Sequence, residues 1–157
     1  MKIIGIDPGT RRIGYGVIEK VRGGATLLEA DLVPVTATTN AEALVQIKQA
    51  LDALFMRMKP DVVAIEKLFF SNNQKTAMAV SEARGVILLS AAEQHLLIRE
   101  YTPNEVKTIC TGYGRADKQA VAKMVKLALR APNLSVIDDV TDALAIALCA
   151  LQHEKFN

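Results

Sequence analysis

An α/β domain with a mixed five-stranded sheet and helices on both faces is the architecture this chain predicts, on three observations. The first 33 residues hold three segments rich in β-branched residues, joined by short turns, which read as an antiparallel meander. Strand and helix patterns then alternate, as they do where crossovers build parallel pairs. Residues 61–66, Asp-Val-Val-Ala-Ile-Glu, form a near-continuous apolar run typical of a strand buried on both faces.

Each element has its own local signal. Residues 2–7 are a short apolar run, Pro8-Gly9-Thr10-Arg11-Arg12 is a turn, and residues 13–20 return as a second strand. Gly23-Gly24 marks the next turn, before a third strand over 25–33. Asn40 can cap a helix whose apolar positions Leu44, Ile47, Leu51, Leu54, Phe55 and Met58 follow helical spacing, and Pro60 ends it. After the strand at 61–66, Ser71 with Gln74 is a capping-box pattern opening a helix to about Gln94. A fifth strand at 96–101 leads into Thr102-Pro103-Asn104-Glu105, a capping box with proline in the first turn. The stretch Thr111-Gly112-Tyr113-Gly114-Arg115 breaks that helix, and Asp117 caps another running to about Arg130. A last helix runs from about Asp138 to His153, with Asp138 read as its cap.

Composition narrows the class. The chain has 157 residues, half of them apolar and 23% charged, enough for one domain with a real core and too apolar for intrinsic disorder. No run approaches the roughly 20 apolar residues needed to span a bilayer. The N-terminal Met-Lys-Ile-Ile-Gly-Ile-Asp meets an acid too early for a signal peptide, so a cytoplasmic protein is expected. Cys110 and Cys149 lie far apart in the chain, without metal-ligand spacing, and are expected as buried free thiols. His95 and His153 are expected at the surface. Net charge is only +2, but between Asn104 and Arg130 six basic residues stand against two acids, which suits a polyanionic partner.

Four acids stand out by position. Asp7 and Glu66 each close an apolar strand, at the edge where α/β sheets place their ligand crevices. A carboxylate there is costly unless a cation or hydrogen-bond donors compensate it. Asp139 and Asp142 stand three apart on the last helix and share one side of it. Oxygen donors with no cysteine or placed histidine among them suit Mg²⁺ or Mn²⁺. Such a cluster can hold two ions about 3.5–4 Å apart for phosphodiester hydrolysis.

The motifs Gly5-Ile6-Asp7-Pro8-Gly9-Thr10 with Gly14-Tyr15-Gly16, Ala64-Ile65-Glu66, Ser81-Glu82-Ala83-Arg84-Gly85-Val86, Glu105-Val106-Lys107 and Asp139-Val140-Thr141-Asp142-Ala143-Leu144-Ala145 occur in this order. In that order they resemble the RuvC family of Holliday-junction resolvases, from Met1 to about Leu151. The resemblance implies an RNase H-like fold and a homodimer that cuts two opposed strands of a four-way DNA junction, with RuvA and RuvB as partner proteins. It also implies catalytic and metal-binding roles for Asp7, Glu66, Asp139 and Asp142. Some members carry a histidine where Asp139 stands, and here the aspartate keeps the site all-oxygen.

The resemblance further implies that an aromatic at Phe69, with Phe70 beside it, disturbs base pairing, and that Lys107 and Lys118 meet DNA phosphates near the cut. Which phenylalanine faces the DNA stays open. Arg115, between the two lysines, joins them as a DNA-binding residue on charge and position. Arg11 and Arg12 at the first turn are candidate backbone contacts. The glycine-aspartate start is also similar to the phosphate loop of actin-like ATPases, but those need two such lobes. A DNA-binding module without catalysis would leave four convergent acids without a role.

Overall fold

The computed structural model describes residues 1–67 and 74–154. Its strands are β1 (Lys2–Asp7), β2 (Gly14–Val21), β3 (Gly24–Leu32), β4 (Val62–Glu66) and β5 (Leu97–Tyr101). They form one sheet in the order β3-β2-β1-β4-β5. The meander pairs antiparallel, whereas β4 joins β1, and β5 joins β4, in parallel. The helices are α1 (Asn40–Met58), α2 (Gln74–Glu93), α3 (Pro103–Thr111), α4 (Lys118–Ala128) and α5 (Asp138–His153). The element order is the one the sequence predicts.

Strand side chains alternate between the two faces of the sheet. Ile4, Ile6, Val63 and Ile65 enter a core with Ile47, Leu51 and Phe55 of α1 and Ile87 of α2. Ile3, Val62 and Ala64 enter the opposite core, with Leu144, Ile146 and Cys149 of α5 and Val121 and Val125 of α4. Asp7 and Glu66 continue the second alternation and so belong to the α5 face.

The approach of α5 to the sheet depends on glycine. A β-carbon on Gly5 would stand 2.0 Å from the Ala143 carbonyl oxygen, and one on Gly14 would stand 2.0 Å from that of Asp139. No side chain fits there, so the glycines of the N-terminal motif set the height of α5 over β1 and β2.

The caps follow the predicted chemistry, with two corrections. Thr102 and Glu105 form the full capping box of α3, with Pro103 in the first turn, and Asp117 caps α4 by accepting the Ala120 N–H at 2.7 Å. The cap of α1 is Thr39, not Asn40: the Thr39 hydroxyl accepts the Glu42 N–H, and the Asn40 amide donates to Glu82 instead. Asp138 is not the cap of α5. Ile137 takes that place with no side-chain bond, and Asp138 is the first helical residue, where its negative charge suits the helix dipole. The Ser71–Gln74 pattern lies outside the described residues.

The cysteines are free, Cys149 buried and Cys110 half-buried. They are also neighbours across α3 and α5, their sulfurs 3.9 Å apart. Their separation along the chain hides that contact. His95 and His153 are exposed, as expected.

Candidate active site

Asp7 and Glu66 arrive together because their strands are parallel neighbours. The β1–β4 ladder pairs Ile6 with Ile65, so the next residue of each strand leaves the sheet at the same edge and on the same face. α5 crosses above, its N-terminal turn seated over Gly14, which pairs with Asp7 across the β1–β2 ladder. That geometry sets Asp139 and Asp142 above the two strand ends.

The electrostatics record the convergence. Asp7 is pushed up to about 7, first by burial and then by the negative charges of Glu66, Asp142 and Asp139. Glu66 is raised too, by burial and then by Asp142, against the lowering pull of Lys118 and Lys107. Lys118 moves the opposite way, raised chiefly by the Asp142 carboxylate, which accepts from its Nζ at 3.2 Å. Asp138 sits 3.9 Å from the same ammonium, outside the cluster.

Lys107 of α3 and Lys118 of α4 line a cleft of about 320 Å³ together with Glu66 and Asp142. Val106, Val121 and Ile146 give it an apolar floor. Arg115 is exposed in the α3–α4 loop and does not line this cleft. Phe69 and Phe70 lie outside the described residues.

Three arginines gain roles that the sequence did not convey. Arg12 Nη2 stands 2.6 Å from Asp139 Oδ2, so in this structure it engages a clustered acid. Arg11 instead fastens the chain locally, donating to the carbonyls of Thr10, Thr38 and Thr39. Arg84 of α2 donates from Nε to the Glu66 carbonyl at 3.0 Å and pairs with Glu100 of β5, which fixes the point where Glu66 leaves β4. The Arg84 motif was visible in sequence, but its partner is a main-chain oxygen with no sequence signature.

The donor set fits a hard divalent cation. It is all oxygen, it repels itself, and it contains a buried oxygen with no hydrogen bond. Asp139 Oδ2 is buried and accepts no aligned hydrogen bond, although the Arg12 nitrogen is within ion-pair distance. The contact is an ion pair without an aligned N–H. Among the described residues no three His, Cys, Asp or Glu side chains stand close enough to share one ion, and Asp139 and Asp142 pair with Arg12 and Lys118.

Comparison with known proteins agrees with the geometry. Residues 3–150 match the family described as crossover junction endodeoxyribonuclease RuvC. Relatives of that name include one from Caldicellulosiruptor saccharolyticus, 44% identical over 95% of this chain and 91% of its own length. Another, from Moorella thermoacetica, is 45% identical over 95% of this chain and 90% of its own. The solved structure of Thermus thermophilus RuvC in complex with a Holliday junction substrate superposes with a TM-score of 0.92 at 32% identity, over 99% of this chain and 96% of that one. The mixed sheet with helices on both faces is thus the RNase H-like fold of that structure. Fold, motifs and relatives agree, and the chain belongs to the RuvC family of crossover junction endodeoxyribonucleases.

Proposed function

We propose that this crossover junction endodeoxyribonuclease resolves four-way DNA junctions by paired, symmetric nicks, with Asp7, Glu66, Asp139 and Asp142 as its catalytic carboxylates. The observation that carries this is convergence: two strand ends and one helix bring four acids to one sheet edge, beside two lysines. Acids alone repel DNA, so a cluster of them next to cations suits a phosphodiester substrate only with counter-charge present. The substrate class is supported by the similar Thermus thermophilus enzyme, whose structure holds a Holliday junction.

The four carboxylates would hold Mg²⁺ or Mn²⁺, two ions per site, which supply Lewis-acid stabilisation of the scissile phosphate and ease deprotonation of the attacking water. The chain's own side chains do the remaining work. Lys107 and Lys118 grip phosphates at the cleft and set the strand across it, and Arg115 adds an exposed cation beside them. Lys118 also places positive charge next to Asp142, which limits the repulsion the DNA meets on entry. Asp7, pushed up to about 7 by burial and by the neighbouring acids when no cation offsets them, would be held ionised by the metal it binds. The products are a 5′-phosphate and a 3′-hydroxyl. Phe69, with Phe70 as its neighbour, is the wedge between bases at the distorted crossover.

Paired nicks need two sites, and a two-fold homodimer supplies them. In its favour, α2 leaves Met78 and Leu89 exposed, at 73% and 50%. RuvA and RuvB are the protein partners, and the cytoplasm is the compartment. No helix among the described residues is long and apolar enough to cross a membrane.

A synthetic four-way junction, incubated with and without Mg²⁺ and mapped at nucleotide resolution against linear duplex, tests this. Paired symmetric nicks in the junction alone, and only with metal, are expected. Equal cutting of linear duplex, or junction binding with no cutting in Mg²⁺ or Mn²⁺, would overturn it.

A further inference from the structure

Tyr113 is a large aromatic left in solvent between two cleft-lining helices. It is 61% exposed, whereas Tyr15 and Tyr101 are 8% and 4% exposed. The loop that carries it is firmly held. The Thr111 hydroxyl donates to the Lys107 carbonyl at 2.8 Å and accepts the Tyr113 N–H at 3.1 Å, while the Tyr113 carbonyl accepts the Ala116 N–H at 3.1 Å. Gly112 turns the chain at φ 79°, and a β-carbon on Gly114 would stand 2.9 Å from the Thr108 hydroxyl, so the loop is folded back tightly on α3. One end of this loop is therefore tied to Lys107, and the other leads within a turn to Lys118.

Holding an apolar ring in water has no folding benefit, because its burial is forgone. An exposed aromatic on a held loop flanked by cations is an arrangement that takes nucleobases: the cations follow the backbone and the ring stacks on a base. Stacking accepts any base, so such a contact favours unstacked strands over regular duplex.

We infer that Tyr113 is a stacking site for an unpaired base of the DNA strand held over Lys107 and Lys118, with Arg115 on the adjoining phosphate. This rests on the proposed DNA-gripping role of those lysines. It adds an aromatic contact to that strand from the loop between α3 and α4.

The chain has no tryptophan and three tyrosines, two of them buried away from any ligand, so a change in its ultraviolet emission on DNA binding reports on Tyr113. Full-length protein without metal, which cannot cut, is titrated with a four-way junction while binding is followed independently by anisotropy of labelled DNA. Absorption-corrected tyrosine emission should fall on binding in the wild type and stay flat in Tyr113→Leu. That variant should bind about tenfold more weakly with an unchanged salt slope, and Tyr113→Phe should keep wild-type affinity. Binding without quenching, or Tyr113→Leu binding as tightly as wild type, would overturn the stacking site. If quenching holds but Lys107→Gln and Lys118→Gln leave the salt slope intact, the lysine assignment fails and the stacking site stands. Absence of any junction binding by the wild type would remove both.

Discussion

Gly14 lies directly beneath Asp139: a β-carbon on the glycine would stand 2.0 Å from the aspartate's carbonyl oxygen. Gly14 is also the ladder partner of Asp7. One residue without a side chain thus brings two of the four acids together from opposite ends of the chain. Gly14→Ala must lift the first turn of α5, and the overpacking should cost about 1–3 kcal/mol. Thermal unfolding should show that loss, with cleavage falling out of proportion to it. Gly24→Ala, where a β-carbon meets nothing within 4 Å, is the near-neutral control.

Asp7 predicts how stability depends on pH. Its carboxyl titrates near 7 in the folded, metal-free protein, against an ordinary value of 3.8. The folded state therefore keeps a proton that the unfolded chain has already released, and stability falls as pH rises through that interval. Asp7→Asn removes the penalty. Without metal, the variant should be more stable than wild type by about 1–4 kcal/mol near pH 8 and gain nothing below about pH 4. Denaturant unfolding at both pH values checks this, and a variant destabilised near pH 8 would contradict it.

On the proposed metal site, Arg12 would compete with the cation for Asp139. The guanidinium is charged at every working pH and sits 2.6 Å from a carboxylate oxygen that a cation would need. Arg12→Gln should lower the Mg²⁺ concentration for half-maximal cleavage several-fold. A rise in that concentration would mean that Arg12 holds Asp139 in place for the metal rather than against it.

Lys118 faces both the acids and the cleft. Lys118→Gln should weaken junction binding across all sequences and reduce the salt slope by about one counterion. It should also raise the Asp7 pKa further, since Lys118 is the cation that lowers it. Carboxylate titration by NMR reads that second effect independently of DNA.

Much of this was legible in the chain because it is local. An acid ending an apolar strand, two acids three apart on a helix, and a capping box at Thr102 and Glu105 are patterns within a few residues. The strand run at 61–66 and the small, apolar face of α5 likewise declare burial without tertiary knowledge. What stayed hidden depends on closure of the fold. Arg12 meets Asp139, Arg84 meets the Glu66 carbonyl, and Cys110 meets Cys149 only when α2, α3 and α5 pack on the sheet. Helix starts failed by one residue for a different reason. Thr39 and Asn40 are both good caps, and Asp138 is as favourable inside the first turn as ahead of it.

The proposed mechanism makes the four carboxylates one metal-dependent catalytic unit. It is tested most directly by nicking of a four-way junction with Asp7→Asn, Glu66→Gln, Asp139→Asn and Asp142→Asn, one at a time, with junction binding measured in parallel. Each variant should bind the junction at least as well as wild type and cut it at least about a hundredfold more slowly in Mg²⁺. A single one of the four cutting at the wild-type rate would contradict the claim.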